Sequence, residues 1–253
     1  MLESYLRARL KERNILLMTH IVLGYPSFED SFRIVETMVE AGVDLMELQI
    51  PFSEPIADGP VILHANQQAL AGGATVQQCM DFARHVAAAF SIPFLFMSYY
   101  NILFKYGVPR FASEMKERGL RGAIVPDLPP EEADDYLKAM TGNGLAPIFI
   151  FSPNTPESRM GRIAASGRGF VYCVARKGVT GLNTQFTNQL EEYLARCRRA
   201  TSLPLALGFG VKDRKDVEFL QGKADIAVIG TQTIRLMDQG GIGAVKDFMG
   251  ELR

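Results

Sequence analysis

Asp44-Leu-Met-Glu-Leu-Gln-Ile-Pro-Phe-Ser-Glu-Pro-Ile-Ala-Asp-Gly-Pro60 contains one whole structural repeat. Residues 45–50 are apolar apart from Glu47 and Gln49, the pattern of a short strand covered on both faces. Pro51 cannot donate to a strand ladder and ends it. A loop punctuated by Pro55 follows, and Gly59-Pro60 opens a helix, with proline in the first turn, where its missing N–H is not needed. Strand, loop and helix in this order make one β/α unit.

The unit recurs from end to end. After a polar N-terminal helix, strands are expected at 16–23, 45–50, 93–98, 122–125, 146–150, 170–174, 204–208 and 225–229. Helices lie between them. Ser27 with Asp30, Thr75 with Gln78 and Asp213 with Asp216 place a capping residue three positions before its partner. Pro129-Pro130-Glu and Thr155-Pro156-Glu put proline and acid into a first turn. A last helix is expected over 231–238. Such regular repetition across 253 residues fits an α/β fold, a single-domain (β/α)8 TIM barrel spanning 1–253 with an extra N-terminal helix. A doubly wound sheet is the alternative, but it rarely needs eight regular units. No linker, low-complexity segment or charge run divides the chain.

Composition narrows the function classes. Hydrophobic residues at 47% and charged residues at 22% suit a globular protein with a sizeable core. A net charge of −1 gives no ground for a nucleic-acid or anionic-membrane partner. No apolar run approaches the ~20 residues of a membrane span. The charged N-terminus lacks a signal-peptide core, so a cytoplasmic location is expected. Cys79, Cys173 and Cys197 are odd in number and scattered, which reads as reduced thiols. His20, His64 and His85 make no metal-ligand spacing, and no metal is expected.

In a barrel, chemistry gathers at the C-terminal ends of the strands. Glu47, Asp58, Tyr99-Tyr100-Asn101, Pro126-Asp127, Tyr172 and Gly178-Val-Thr-Gly181 all fall there. A carboxylate inside a buried strand is disfavoured by desolvation, so Glu47 is either paired or chemical. Glu47 and Asp58 are read either as an acid/base pair or as a salt-bridged glutamate and a helix-capping aspartate. Gly208-Phe-Gly210 and Ile229-Gly-Thr231 end the last two strands, and the second opens a helix. Small residues and free N–H donors make this a phosphate site, with Gly181 as a further donor, unless the glycines merely turn the chain. Tyr99 and Tyr100 are open to simple packing with the hydroxyl in solvent. Asp127 reads as a cap or turn residue within Pro-Asp-Leu-Pro-Pro. Arg176-Lys177 either draws an anion or is solvated, and Met97 reads as core.

Several segments in the same order carry a resemblance. Glu47 through Pro60, Met97-Ser-Tyr-Tyr-Asn101, Ile124-Val-Pro-Asp-Leu-Pro129, Phe170-Val-Tyr-Cys-Val-Ala-Arg-Lys-Gly-Val-Thr-Gly181 and Gly208-Phe-Gly210 resemble the tryptophan synthase alpha subunit family over nearly the whole chain. The family signature runs approximately E-L-G-I-P-F-S-D-P-x-A-D-G-P. The resemblance implies a lyase of tryptophan biosynthesis, cleaving indole-3-glycerol phosphate to indole and glyceraldehyde 3-phosphate by a retro-aldol step. It implies that Glu47 is the acid/base and that Asp58 holds the indole N–H. It implies that Tyr172 positions the glutamate and that Thr180 closes over Asp58. Phe209, Gly210, Gly181, Gly230 and Thr231 match the phosphate cradle; His20 and Tyr99 line the substrate pocket.

No metal or organic cofactor is implied for this chain, pyridoxal phosphate being expected only in a partner beta subunit. Pro51, Glu54, Asn101 and Pro129 match the surface offered to that subunit in an alpha2-beta2 assembly. Some residues depart from the family. Gln49 replaces glycine, His20 an apolar residue, Glu54 an aspartate, Lys177 a small residue and Thr231 a serine, and Tyr25 sits where Gly-Asp-Pro is commoner. His20 and Gln49, polar where an indole ring wants apolar walls, are expected to hydrogen-bond each other, water or Glu47. Two alternatives stand beside the lyase. One is a weakly catalytic scaffold that mainly activates a beta subunit, and the other is a different phosphosugar isomerase or epimerase.

Overall fold

Strands apolar on both faces need cover on both, and a ring of parallel strands inside a ring of helices supplies it. The structure, a computed structural model, describes residues 1–175, 188–208 and 210–252. The strands are β1 (Leu16–Val22), β2 (Leu45–Gln49), β3 (Phe94–Met97), β4 (Gly122–Ile124), β5 in two pieces (Ala146–Ile148 and Ile150–Phe151), β6 (Val171–Val174), β7 (Leu205–Gly208) and β8 (Ile226–Ile229). The helices are α1 (Leu2–Arg9), α2 (Phe28–Glu40), α3 (Pro60–Ala71), α4 (Val76–Ala89), α5 (Tyr100–Tyr106), α6 (Val108–Glu117), α7 (Asp134–Gly142), α8 (Glu157–Ser166), α9 (Asn188–Ala200), α10 (Arg214–Leu220) and α11 (Thr231–Glu251).

All neighbouring strands pair in parallel, and β8 returns to β1. The first piece of β5 pairs with β4 and the second with β6. Tyr172 N donates to Phe149 O at 3.0 Å across the join. The two ends of the sheet are therefore one strand, and closure leaves no open edge. Pro147 has no N–H to give the ladder, and the strand is interrupted two residues on.

Side chains alternate across the wall. Met46 and Leu48 face the helices, whereas Leu45 joins Leu16, Met18, Leu95, Ile124, Ile148, Ala206, Ile226 and Val228 in a packed interior plug. Leu2 and Leu6 of α1 seal that plug from below. Asp44, at the same end, pairs with Arg9 and Arg13, each at 3.2 Å, and accepts Leu17 N at 3.0 Å. The N-terminal mouth is closed, so the interior is reached from the other end.

The local caps behave as the sequence predicts. Asp30 N donates to Ser27 Oγ at 3.0 Å, Thr75 and Gln78 form a reciprocal capping box, and Asp216 N donates to Asp213 Oδ1 at 3.1 Å. Two helices differ from expectation. Pro130–Glu132 is a single 3-10 turn, in which Ala133 N bonds Pro130 O at 3.3 Å, and α7 begins only at Asp134. α11 does not stop at 238: it kinks at Gly241 (φ 66) and resumes because Val245, Phe248 and Met249 are buried. Among the described residues no helix is long and apolar enough to cross a membrane, and no His, Cys, Asp or Glu cluster could hold a metal ion.

Candidate active site

A cavity of about 680 Å³ opens at the C-terminal ends of the strands. Its apolar wall includes Ile62, Met97, Ile124, Ile150 and Val228, and its polar lining includes Glu47, Asp58, His20 and Tyr172. Met97 thus lines the cavity as well as packing in the interior plug. Ile124 and Ile150 were not singled out in the sequence, although their inward register positions on β4 and β5 are the signal that finds them.

Glu47 is 2% exposed and stands opposite His20 in the β1–β2 register. His20 Nδ1 lies 3.4 Å from Glu47 Oε2. Glu47 is therefore paired, as the ion-pair alternative requires, and among the described residues its partner is that imidazole. Burial depresses the protonation of His20. The hydrogen bond and charge of Glu47, with the charge of Asp58 behind them, outweigh it and hold the imidazole above its ordinary value. Tyr172, on β6, is raised well above the ordinary phenol, by burial first and then by the charge of Glu47, so its hydroxyl stays protonated as a donor.

Asp58 is not the cap of α3. That role falls to Gly59, with no side-chain bond. Gln49 Nε2 donates to Asp58 Oδ2 at 2.7 Å, and the Tyr99 hydroxyl donates to the same oxygen at 3.1 Å. Both corrections have a physical reason. Gln49 turns to Asp58 rather than to Glu47 because the loop folds back over the end of β2. Tyr99 is fully buried, its ring stacked on Phe52 with centroids 5.1 Å apart, so its hydroxyl bonds within the protein and also accepts Ala57 N at 3.0 Å. Asn66 of α3, which sequence reasoning missed, accepts Phe52 N at 2.9 Å and donates to Ile62 O at 2.8 Å, tying the loop to the helix after it.

Gly208, Gly210, Gly230 and Thr231 line the same cavity, with Gly230 beside His20. Gly210 has φ 69, a conformation that favours glycine, and Gly230 is the N-cap of α11, whose first N–H groups have no helical acceptor. A helix of this length presents a positive dipole end there. Gly208 has a second constraint: a Cβ would meet Tyr172 Cε1 at 2.8 Å and its hydroxyl at 2.9 Å. Thr180, Gly181 and Phe209 lie outside the described residues, as do Arg176, Lys177 and Gly178.

Asp127 does act as a cap, but for α5, accepting Tyr100 N at 2.9 and 3.1 Å, and not within its own turn. On the rim, Glu54, Asn101 and Pro129 are exposed, and Pro51 is buried beneath them. Ile56 at 81% and Phe104 at 66% exposure add apolar surface to the same rim. Chemically, a carboxylate faces an apolar slot, a second carboxylate lines the same cavity, and a helix N-terminus able to hold an anion opens into it.

A sequence profile described as tryptophan synthase alpha chain matches residues 6–248. The chain is 68% identical over 253 residues to a tryptophan synthase alpha chain of Syntrophotalea carbinolica, covering all of both. It is 64% identical over 252 residues to one of Desulforapulum autotrophicum, again covering all of both. Among solved structures it resembles tryptophan synthase of Mycobacterium tuberculosis, with a TM-score of 0.91 at 30% identity, covering 99% of this chain and 96% of that one. The tryptophan synthase alpha subunit of Legionella pneumophila gives the same TM-score and coverage at 28% identity.

Proposed function

The chain belongs to the tryptophan synthase alpha chain family, and from that premise we propose how its own residues cleave indole-3-glycerol phosphate to indole and glyceraldehyde 3-phosphate. One observation carries the reading. Glu47 and Asp58 line the same apolar cavity as Gly210, Gly230 and Thr231, into which the glycine-built start of α11 opens.

The phosphate sits at Gly210, Gly230 and Thr231, where backbone N–H groups and the helix dipole favour an anion. The indole ring lies against Ile124, Ile150, Met97 and Val228. Asp58 accepts the indole N–H, and Glu47 protonates ring carbon C3. That proton destroys the aromaticity and leaves positive charge at the ring nitrogen, which the Asp58 carboxylate stabilises. The bond between C3 and the glycerol chain then breaks, its electron pair passing into the ring. The adjacent hydroxyl gives its proton to Glu47 as its oxygen becomes the aldehyde carbonyl. Tyr172 and His20 orient Glu47, and Gln49 and Tyr99 orient Asp58. Every step is a proton transfer or a bond-pair shift, so no metal or organic cofactor enters.

The alpha chain of tryptophan synthase works with a beta subunit. The reading extends this to an alpha2-beta2 assembly in the cytoplasm, with pyridoxal phosphate confined to the beta subunit. The contact surface is the 51–58 loop with Asn101 and Pro129, where Ile56 and Phe104 are exposed. The scaffold and isomerase alternatives explain neither the paired carboxylates nor their fixed orientation.

The test is indole release from indole-3-glycerol phosphate by the wild type, Glu47→Gln and Asp58→Asn. Each variant keeps side-chain shape, and turnover falls at least ~10²-fold with the fold intact. Near-wild-type turnover in Glu47→Gln refutes the acid/base assignment.

A further inference from the structure

Besides Glu47 Oε1, two buried polar atoms beside the carboxylates, His20 Nε2 and Gln49 Oε1, have no hydrogen-bond partner among the described residues. Their residues are 5% and 0% exposed. Each atom belongs to a side chain whose other end is already committed. Gln49 Nε2 donates to Asp58 Oδ2 at 2.7 Å, and an ionised carboxylate only accepts. The amide cannot be turned round without losing that bond, so Oε1 must face away from Asp58. His20 Nδ1 faces Glu47 Oε2 at 3.4 Å, which leaves Nε2 over. One leftover atom is an acceptor and the other can carry a proton. β1 and β2 pair His20 with Glu47 and Val22 with Gln49, so His20 and Gln49 are inward neighbours on adjacent strands. Gln49 is also among the groups that favour a proton on His20.

We propose that the unmade link between His20 Nε2 and Gln49 Oε1 closes to join Glu47, His20, Gln49 and Asp58 in one hydrogen-bonded chain, with His20 as a positioning residue that stores the proton Glu47 delivers. The proposal rests on the reading of Glu47 and Asp58 as the reacting pair. With that link closed, Gln49 Oε1 accepts the Nε2 proton and only Nδ1 exchanges one with Glu47. The pair then holds a single labile proton, as imidazolium and carboxylate or as imidazole and carboxylic acid. It leaves Nδ1 through Glu47 Oε2 for indole C3, and the proton released by the glycerol hydroxyl returns by the same path. Nothing is consumed.

Among the described residues, the groups facing His20 are few. Glu47 and Gln49 come from β2, Asp58 from the loop after it and Tyr172 from β6. Gly230, just past β8, abuts His20, and Val228 of β8, Ile62 of α3 and Thr231 of α11 line the same cavity; none of these titrates near neutrality.

The experiment has two arms. In 15N-histidine spectra of the 253-residue chain, which has 3 histidines, His20 is assigned by its loss in His20→Phe. Gln49→Gly, which installs the residue usual in the family, lowers the pH at which the His20 imidazolium deprotonates by about half a unit or more. In indole release, His20→Phe and Gln49→Gly each lower kcat roughly tenfold with little change in KM. The double variant is scarcely worse than either, because both cut one chain. An unaltered His20 titration in Gln49→Gly, unchanged kcat in both variants, or losses that multiply in the double variant each overturn the proposal. Glu47→Gln is run alongside: if it stays active, the underlying reading has failed, whereas the spectra judge the chain independently of turnover.

Discussion

At Gly208 the Tyr172 ring leaves no room for a single methyl group. Alanine there would collide with the Tyr172 ring at 2.8 Å and move it from Glu47. Gly208→Ala should therefore lower kcat/KM about tenfold or more with the far-ultraviolet spectrum unchanged, since small displacements near reacting groups are costly. His20 makes a stability prediction. Its proton is held more tightly in the folded chain than in the unfolded one. The stabilisation is present below its unfolded pKa of about 6.5 and is lost as pH rises through the higher folded value. Urea denaturation near pH 6 and pH 8 should show the wild type losing more stability across that interval than His20→Phe. Equal losses would mean that His20 is not charged in the folded chain. The sequence exposed Glu47 because a charge inside an apolar strand is conspicuous. It concealed the Gln49–Asp58 bond and the role of Tyr99, because both depend on how the loop after β2 folds back. Asn66 sits unremarked inside a helix and gives no signal at all.

Elements were legible where their determinants are local. Ser27, Thr75 and Asp213 cap helices within three residues of themselves, and each was read from its spacing. Asp127 caps α5 from 27 residues away, so no spacing rule could assign it. Asp127→Ala should cost about 1 kcal/mol in urea denaturation, the usual value of an N-terminal cap. It should also loosen the start of α5, where Asn101 stands on the rim. A stability equal to wild type would show the cap to be energetically idle. The true length of α11 was hidden for another reason. Gly240-Gly241 looks like a terminus, and only burial of Val245, Phe248 and Met249 in the outer layer carries the helix past it.

Over the whole molecule, barrel closure puts the chemistry at one mouth and a sealed plug at the other, and repeated β/α units made that architecture readable. What the sequence could not supply was proximity, namely that Glu47, Asp58 and Gly230 line one cavity. The same mouth carries the rim of Glu54, Ile56, Asn101 and Phe104, so a partner docking there touches the loop bearing Asp58 directly. Turnover should rise at least ~10-fold in the complex, about 1.4 kcal/mol of barrier. Glu54→Lys should reduce that activation more than basal turnover, because Glu54 is exposed and makes no contact with the carboxylates' hydrogen bonds. Equal turnover with and without the beta subunit contradicts this. The most direct measurement of the central claim is a crystal structure of the chain bound to an indole-alkyl phosphate that lacks the cleavable hydroxyl. The account predicts the indole nitrogen on Asp58, ring carbon C3 against Glu47 and the phosphate at Gly210 and the Gly230-Thr231 helix start. An indole nitrogen turned away from Asp58, or a phosphate seated elsewhere on the barrel, would contradict it.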